Sequence, residues 1–137
     1  MPDGIELILA DHRAVDALFE AFDAAPDGAI IGQILDMLTA HDDAEHGALY
    51  PFASLTLGTD SISAARQAHT ALKQQMDHLK ALEGVPLLES FTVLRQLVEA
   101  HVQDEESNLL PALREAVTPT DLDALGARIL QVKQRGG

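Results

Sequence analysis

The sequence predicts an all-α protein: an up-down-up-down four-helix bundle followed by a short fifth helix. Leu and Ala abound while runs of β-branched residues are missing, which favours helix over sheet. Apolar residues recur at alternating spacings of three and four along the long stretches, the seam of a helix packed in a bundle. The connections between those stretches are short and marked by Pro and Gly, so consecutive helices become antiparallel neighbours.

The first helix starts near Asp3 and ends near Ala24, ahead of Pro26-Asp27-Gly28. Its seam is Ile5, Ile8, His12, Val15, Phe19 and Phe22, with a histidine where an aliphatic side chain is expected. The second starts near Ala29 and has the seam Ile34, Leu38, His41, Glu45, Ala48 and Phe52. Pro51 has no N–H and crowds the preceding turn, so it is expected to bend or end this helix. Asp60 or Ser61 caps a third helix over about 61–83, with the seam Ile62, Ala65, His69, Leu72, Met76 and Leu79. Gly84-Val85-Pro86 opens the fourth, whose seam is Leu87, Phe91, Leu94, Val98, His101, Glu105, Asn108 and Ala112. Pro111 repeats the late break of Pro51. Thr118-Pro119-Thr120-Asp121 is a strong start signal for the fifth helix. The stripe Leu122, Leu125, Ile129 and Val132 closes one end of the bundle or makes a contact between copies. The tail Gln134-Arg135-Gly136-Gly137 is expected to fray.

At 137 residues the chain is expected to form one domain, residues 1–137. Only 4% of residues are aromatic against 47% hydrophobic, so the core must be aliphatic. The absence of cysteine excludes disulfides, thiolate metal sites and cysteine nucleophiles. A net charge of −13 repels phosphate backbones and anionic lipid heads, so neither nucleic acid nor a membrane is an expected partner. The start Met-Pro-Asp-Gly-Ile-Glu lacks the pattern of a signal peptide, and a cysteine-free chain suits a reducing compartment; the expected location is cytoplasmic.

The chemistry lies in a repeat. His41 to Pro51 and His101 to Pro111 each sit in Ala-His-x-x-x-Glu-x-x-x-Leu-x-Pro. On a helix, residues four apart share a face, so each copy aims an imidazole and a carboxylate the same way. Counting residues back from the turns puts His12 level with His41, and His69 level with His101. If the second helix ran straight to Leu57, Glu45 would sit roughly 6 Å off the level of His69. Ending or bending the helix soon after Pro51 is expected to remove that mismatch. His12, His41, Glu45, His69, His101 and Glu105 then form one buried cluster. Burying such groups without a counter-charge is costly, and two metal ions supply it. Glu45 and Glu105 can each bridge both ions, with His12 and His41 on one and His69 and His101 on the other. By ligand type the set suits iron, zinc or manganese, and carboxylate bridges at a bundle centre favour iron or manganese. Asp42 and Asp11 are candidate hydrogen-bond partners for ligand histidines, Asp11 for His12. His46, His78, Asp104, Glu106 and Lys73 are expected in solvent, and Tyr50 and Met76 in packing roles.

On these residues the sequence resembles the hemerythrin and HHE cation-binding family over about residues 5–115. The family pattern falls on His12, on His41 and Glu45, on His69, and on His101 and Glu105, and the Leu-x-Pro tails at Pro51 and Pro111 are usual in the HHE branch. The resemblance implies a four-helix bundle holding two iron ions in an oxo- or hydroxo-bridged centre. One departure is Lys73, which stands where oxygen-carrying hemerythrins have a further histidine. The resemblance implies binding of dioxygen, nitric oxide or peroxide, in oxygen or iron sensing or in oxidative-stress handling. It equally admits a catalase-like enzyme that decomposes peroxide, or an iron-responsive binding module. A small molecule is then the expected partner, with the chain a monomer or a weak homodimer.

Overall fold

The computed structural model describes residues 2–136, and their regular structure is entirely helical; Met1 and Gly137 lie outside the described residues. Helix α1 (Gly4–Ala24) is started by Asp3, whose carboxylate accepts the Glu6 N–H at 2.8 Å while Glu6 accepts the Asp3 N–H at 3.2 Å. That reciprocal cap satisfies donors that a helix start leaves free. Asp27 caps α2 (Gly28–Ala44) through the Ala29 N–H. A wide π turn, Glu45–Leu49, carries the backbone without a break into α3 (Tyr50–Leu57). Gly58, at φ 96°, turns the chain into a 3₁₀ turn, Thr59–Ile62, and then α4 (Ser63–Leu79). Gly84, at φ 62°, reverses it into α5 (Gly84–Asp104). Both angles are cheap for glycine alone. A second π turn, Glu105–Leu109, joins α5 to α6 (Leu110–Ala116), and α7 (Pro119–Gly136) follows.

Helix α1 packs along α2 and α4 along α5, while α7 lies across α1, α2 and the first π turn. The aliphatic core is in two parts. One gathers Ile5, Ile8, Leu49, Tyr50, Leu110, Leu113, Leu125 and Ile129; the other gathers Val15, Phe19, Ile34, Leu38, Met76, Leu79, Phe91 and Leu94. The buried polar residues His12, His41, Glu45, His69, His101 and Glu105 form a belt between them.

Several expectations need correcting. Pro51 does not end its helix, which runs on to Leu57. Its missing N–H and bulky ring are absorbed by the π turn just before it, where the Tyr50 N–H reaches back to the Glu45 carbonyl. Pro111 is accommodated in the same way, with the Leu110 N–H on the Glu105 carbonyl. Each π turn takes in one extra residue, so the seam beyond it slips by one. Phe52, Asn108 and Ala112 are therefore not the buried positions; Ala53, Leu109 and Leu113 are. The level mismatch is absent: Glu45 Oε1 lies 2.9 Å from His69 Nε2. The π turn shortens the climb from Glu45 to Leu57, and the 3₁₀ turn, at about 2 Å per residue, steepens the return toward His69. Neither Asp60 nor Ser61 caps α4: both lie in the 3₁₀ turn, and the Ser61 hydroxyl donates back to the Gly58 carbonyl at 2.6 Å. The α4 helix also stops at Leu79, short of Glu83.

The fifth helix is not short. α7 has 18 residues, and Gln134 and Arg135, expected to fray, continue it. Two basic residues in its last turn, Lys133 and Arg135, suit the negative end of the helix dipole. Its stripe is used within the chain: Leu122, Leu125 and Ile129 are buried against the N-terminal half of α1 and the first π turn. The fit is close enough to exclude a methyl group. A Cβ at Gly4 would lie 2.5 Å from Leu125 Cγ. Gly4→Ala is therefore expected to destabilise the fold by about 1–3 kcal/mol in chemical denaturation, despite alanine's better helix propensity. A neutral result would mean that α7 is loosely docked.

Candidate metal centre

Each polar residue of the belt lies between the two halves of the aliphatic core, on a helix or at its passage into a π turn. His12 is on α1, His41 on α2, His69 on α4 and His101 on α5. Glu45 and Glu105 are the first residues of the two π turns. All of them are buried, Glu45 completely.

Their ring nitrogens converge on the carboxylates. Glu45 Oε1 lies 2.9 Å from His41 Nε2 and 2.9 Å from His69 Nε2. Glu105 places Oε1 3.2 Å from His12 Nε2 and Oε2 3.2 Å from His101 Nε2. Each carboxylate thus touches one histidine of each hairpin. The rings pair as expected: His12 and His41 have centroids 5.1 Å apart, and His69 and His101 4.5 Å. Donor atoms of Glu45, His69, His101 and Glu105 fall within 4.8 Å of one another, as do those of His12, His41 and Glu105.

These close approaches are poorly formed hydrogen bonds. Among the described residues, His12 Nε2, His41 Nε2, Glu45 Oε2 and Glu105 Oε1 are buried without a hydrogen-bond partner. Buried polar atoms almost always have one. Atoms that face a common space rather than each other's hydrogens are arranged as ligands for a cation, and imidazole with carboxylate suits a first-row transition metal. The residues therefore fit a metal centre.

The far side of the rings supports this. Nδ1 of His12 donates to Glu106 Oε2 at 2.8 Å, Nδ1 of His41 to Asp11 Oδ2 at 2.8 Å, and Nδ1 of His69 to Asp42 Oδ1. A carboxylate can only accept, so these Nδ1 atoms carry hydrogen, and Nε2 is the atom presented inward. Asp11 is in turn gripped by Lys133 of α7, with Nζ 2.5 and 2.6 Å from its two oxygens. Burial alone would raise the Asp11 carboxyl, but its bonds to His41 and Lys133 hold it below the usual carboxylate range. Sequence reasoning placed Asp11 on His12; the structure puts it on His41, because the side chain points across to α2. Glu106 is not solvated as expected. It takes the His12 position and is itself held by Arg13 at 2.8 Å. Its signal was a carboxylate directly after Glu105.

Tyr50 does more than pack. It is fully buried, and its hydroxyl donates to Glu105 Oε2 at 3.3 Å. Burial first, then the nearby Glu45 and Glu105 carboxylates, raise its phenol well above the ordinary value, so it stays a neutral donor. His46 is exposed as expected, but its Nε2 lies 3.3 Å from Asp42, behind His69. His78 and Lys73 are exposed. Lys73 nevertheless borders a cavity of about 30 Å³ beside the histidines, whose walls include Val15, Leu38, Leu72, Met76 and Val98.

Without metal the cluster is an ion-pair network. Burial opposes charge on His41, but Glu45, with Asp11, outweighs it and pushes the imidazole up to about 10. His101 is pushed up to about 9 by Glu105 and Glu45 against the same opposition from burial. Burial would raise the Glu45 carboxyl, yet the neighbouring histidines, His41 foremost, hold it well below its ordinary range. Both histidines have folded values above their ordinary 6.5. Their contribution is fully present below about pH 6.5 and is lost as pH rises through 9 and 10. That of Glu45 is present above its ordinary 4.5 and lost as pH falls below it. Metal-free protein is therefore expected to be most stable between about pH 4.5 and 6.5 and to weaken steadily toward pH 10. Urea denaturation of chelator-treated protein across that range checks this; a flat profile above pH 6.5 would mean the histidines are neutral throughout.

Comparisons with known proteins agree with this geometry. A solved structure of a hemerythrin HHE cation binding domain-containing protein from Mycobacterium kansasii superimposes with a TM-score of 0.84, covering 98% of this chain and 90% of that one at 24% identity, which establishes a shared fold. A protein of Nostoc sp. named a DNA nickase is 30% identical over 115 residues. That match takes in 80% of this chain but only 33% of the Nostoc protein, so the chain corresponds to about a third of its relative. No helix among the described residues is long and apolar enough to cross a membrane. The family model for the hemerythrin HHE cation binding domain matches residues 3–113, which include every residue of the polar belt, and the chain belongs to that family.

Proposed function

We propose that the chain holds two iron ions and binds dioxygen, or a related small molecule such as nitric oxide or peroxide, at an open position facing the cavity beside His69. The observation that carries this reading is the convergence of the histidine Nε2 atoms and both carboxylates on a buried space where several of them lack hydrogen-bond partners. His12 and His41 would hold one ion and His69 and His101 the other, with Glu45 and Glu105 shared between them. In this reading residues 1–137 act as one unit, an up-down-up-down four-helix bundle with α7 as its fifth helix.

Bound iron would supply Lewis acidity and electrons. The chain's own residues do the rest. Asp11, Asp42 and Glu106 fix the tautomers and hold the rings. Tyr50 orients the Glu105 carboxylate and keeps its proton. The aliphatic walls keep bulk water away, and about 30 Å³ leaves space for a ligand of two heavy atoms. Such a centre serves oxygen or iron sensing or oxidative-stress handling. A second reading, catalase-like decomposition of peroxide, draws on Lys73: its ammonium at the cavity edge can attract an anionic hydroperoxide, and it supplies no ligand nitrogen to the neighbouring ion. The nicking activity named for the Nostoc relative gains no support from this chain, whose charge of −13 opposes a phosphate backbone.

The test is metal analysis followed by ligand exposure. Iron-reconstituted protein is expected to carry two ions per chain, and its reduced form to change its near-ultraviolet spectrum on exposure to dioxygen. Mainly zinc, or no spectral response to dioxygen, nitric oxide or peroxide, would overturn the reading. Oxygen evolved from peroxide above the level of a His101→Ala control would favour the enzyme over the binding protein.

A further inference from the structure

The two hairpins repeat the ligands but not what stands behind them. His41 and Glu45 correspond to His101 and Glu105, and His12 corresponds to His69. In the same register Asp11 corresponds to Ala68, Asp42 to Val102, and His46 to Glu106. The second hairpin therefore has no acceptor at the positions that give the first hairpin Asp11 and Asp42.

The consequence is visible at Nδ1. On the His12–His41 side both rings donate to a carboxylate, and each carboxylate has a lysine or arginine paired with it. Glu106 is held by Arg13 at 2.8 Å, and Asp11 by Lys133 at 2.5 and 2.6 Å. On the other side, His69 leans on Asp42, beside which stands the exposed His46 rather than a lysine or arginine among the described residues. His101 Nδ1 is buried with no partner among the described residues. A carboxylate on Nδ1 fixes the tautomer and raises the basicity of Nε2, and losing it costs about 10–100-fold in metal affinity. The less supported pair also includes His69, which lines the same cavity as Lys73, one helical turn further along α4.

We propose that the two metal positions are inequivalent: His12 and His41 hold their ion tightly, with Lys133 of α7 as a positioning residue acting through Asp11, and His69 with His101 form the weaker, exchangeable position. This rests on the two-metal reading above. It gives α7, which lies beyond the residues matched by the family model, a task at the centre rather than only in packing. It also makes a one-ion form the normal intermediate in loading and loss of metal.

The experiment is anaerobic loading of the metal-free full chain with iron(II) against a chromophoric chelator, with bound metal counted by mass spectrometry. The expected result is two binding steps separated by about tenfold or more. Lys133→Met is expected to weaken the tight step about tenfold and leave the weak one in place, and Lys133→Arg to restore it. Circular dichroism of the metal-free variants checks that α7 remains folded. His101→Ala is expected to keep the tight step, and His12→Ala to lose it. Ala68→Asp is expected to strengthen the weak step. Two ions bound with one constant, a tight step untouched by Lys133→Met, or a tight step lost in His101→Ala would each overturn the inequivalence. Fewer than two ions at saturation would instead overturn the two-metal reading, and the inequivalence with it.

Discussion

Replacing Glu45 by alanine is expected to leave less than one ion per chain after reconstitution, the largest loss of metal from any single change. Glu45 is the one residue whose carboxylate meets His41 and His69 at 2.9 Å and approaches His101 at 3.5 Å. No neighbour can replace it, because Asp42 already serves the back of His69 and Glu105 the other two contacts. Metal-free protein should suffer as well. His41 and His101, pushed up to about 10 and about 9 in part by this carboxylate, would lose a buried counter-charge. Breaking one partner of a buried ion pair costs about 3–5 kcal/mol. Glu45→Gln, which keeps the shape and one oxygen, should lose metal but retain more of the metal-free stability. Metal analysis and denaturation of both variants separate the two effects. Full metal occupancy in Glu45→Ala would exclude Glu45 as a bridge.

Removing the metal from the intact chain should have the second largest effect. A ligand bound only by the folded state at a hundredfold its dissociation constant adds about 2.7 kcal/mol per site. Two sites in a domain of this size correspond to a rise in melting temperature on the order of 15 °C. Scanning calorimetry with and without a strong chelator reads the difference at pH 7. Because the empty cluster carries the histidine protons that metal must displace, the gap should widen toward pH 9 and narrow toward pH 6. Coincident melting curves would mean that no tightly bound metal is present.

The buried polar belt could be read from the sequence because a polar residue in an apolar seam is conspicuous. His12, His41, Glu45, His69, His101 and Glu105 all break a spacing of three and four, and all are buried. What the spacing could not carry was the change of helix type. A seam read at a constant pitch runs on through Phe52 and Asn108, whereas each π turn moves the buried face by one residue. The hint was available in the proline that follows each turn, since a continuous helix has to dispose of the missing N–H somewhere. The carboxylates behind the rings were harder to read. Glu106 and Lys133 are charged residues among 22 acidic and 9 basic ones, and only tertiary packing selects which of them face His12 and Asp11. For the same reason the reach of α7 to the centre was invisible: nothing in its apolar stripe says that the residue after Val132 meets Asp11 from outside the bundle.

The π turns make the two halves repeats in backbone as well as in sequence. They occupy the same place in both hairpins, Glu45–Leu49 and Glu105–Leu109, and each is followed by the same proline. A π turn sets the angle at which its first residue leaves the helix, so Glu45 and Glu105 are aimed alike while the residues around them differ, Asp11 against Ala68 and His46 against Glu106. The backbone is thus symmetric where the carboxylates must meet and the side chains are asymmetric behind the rings.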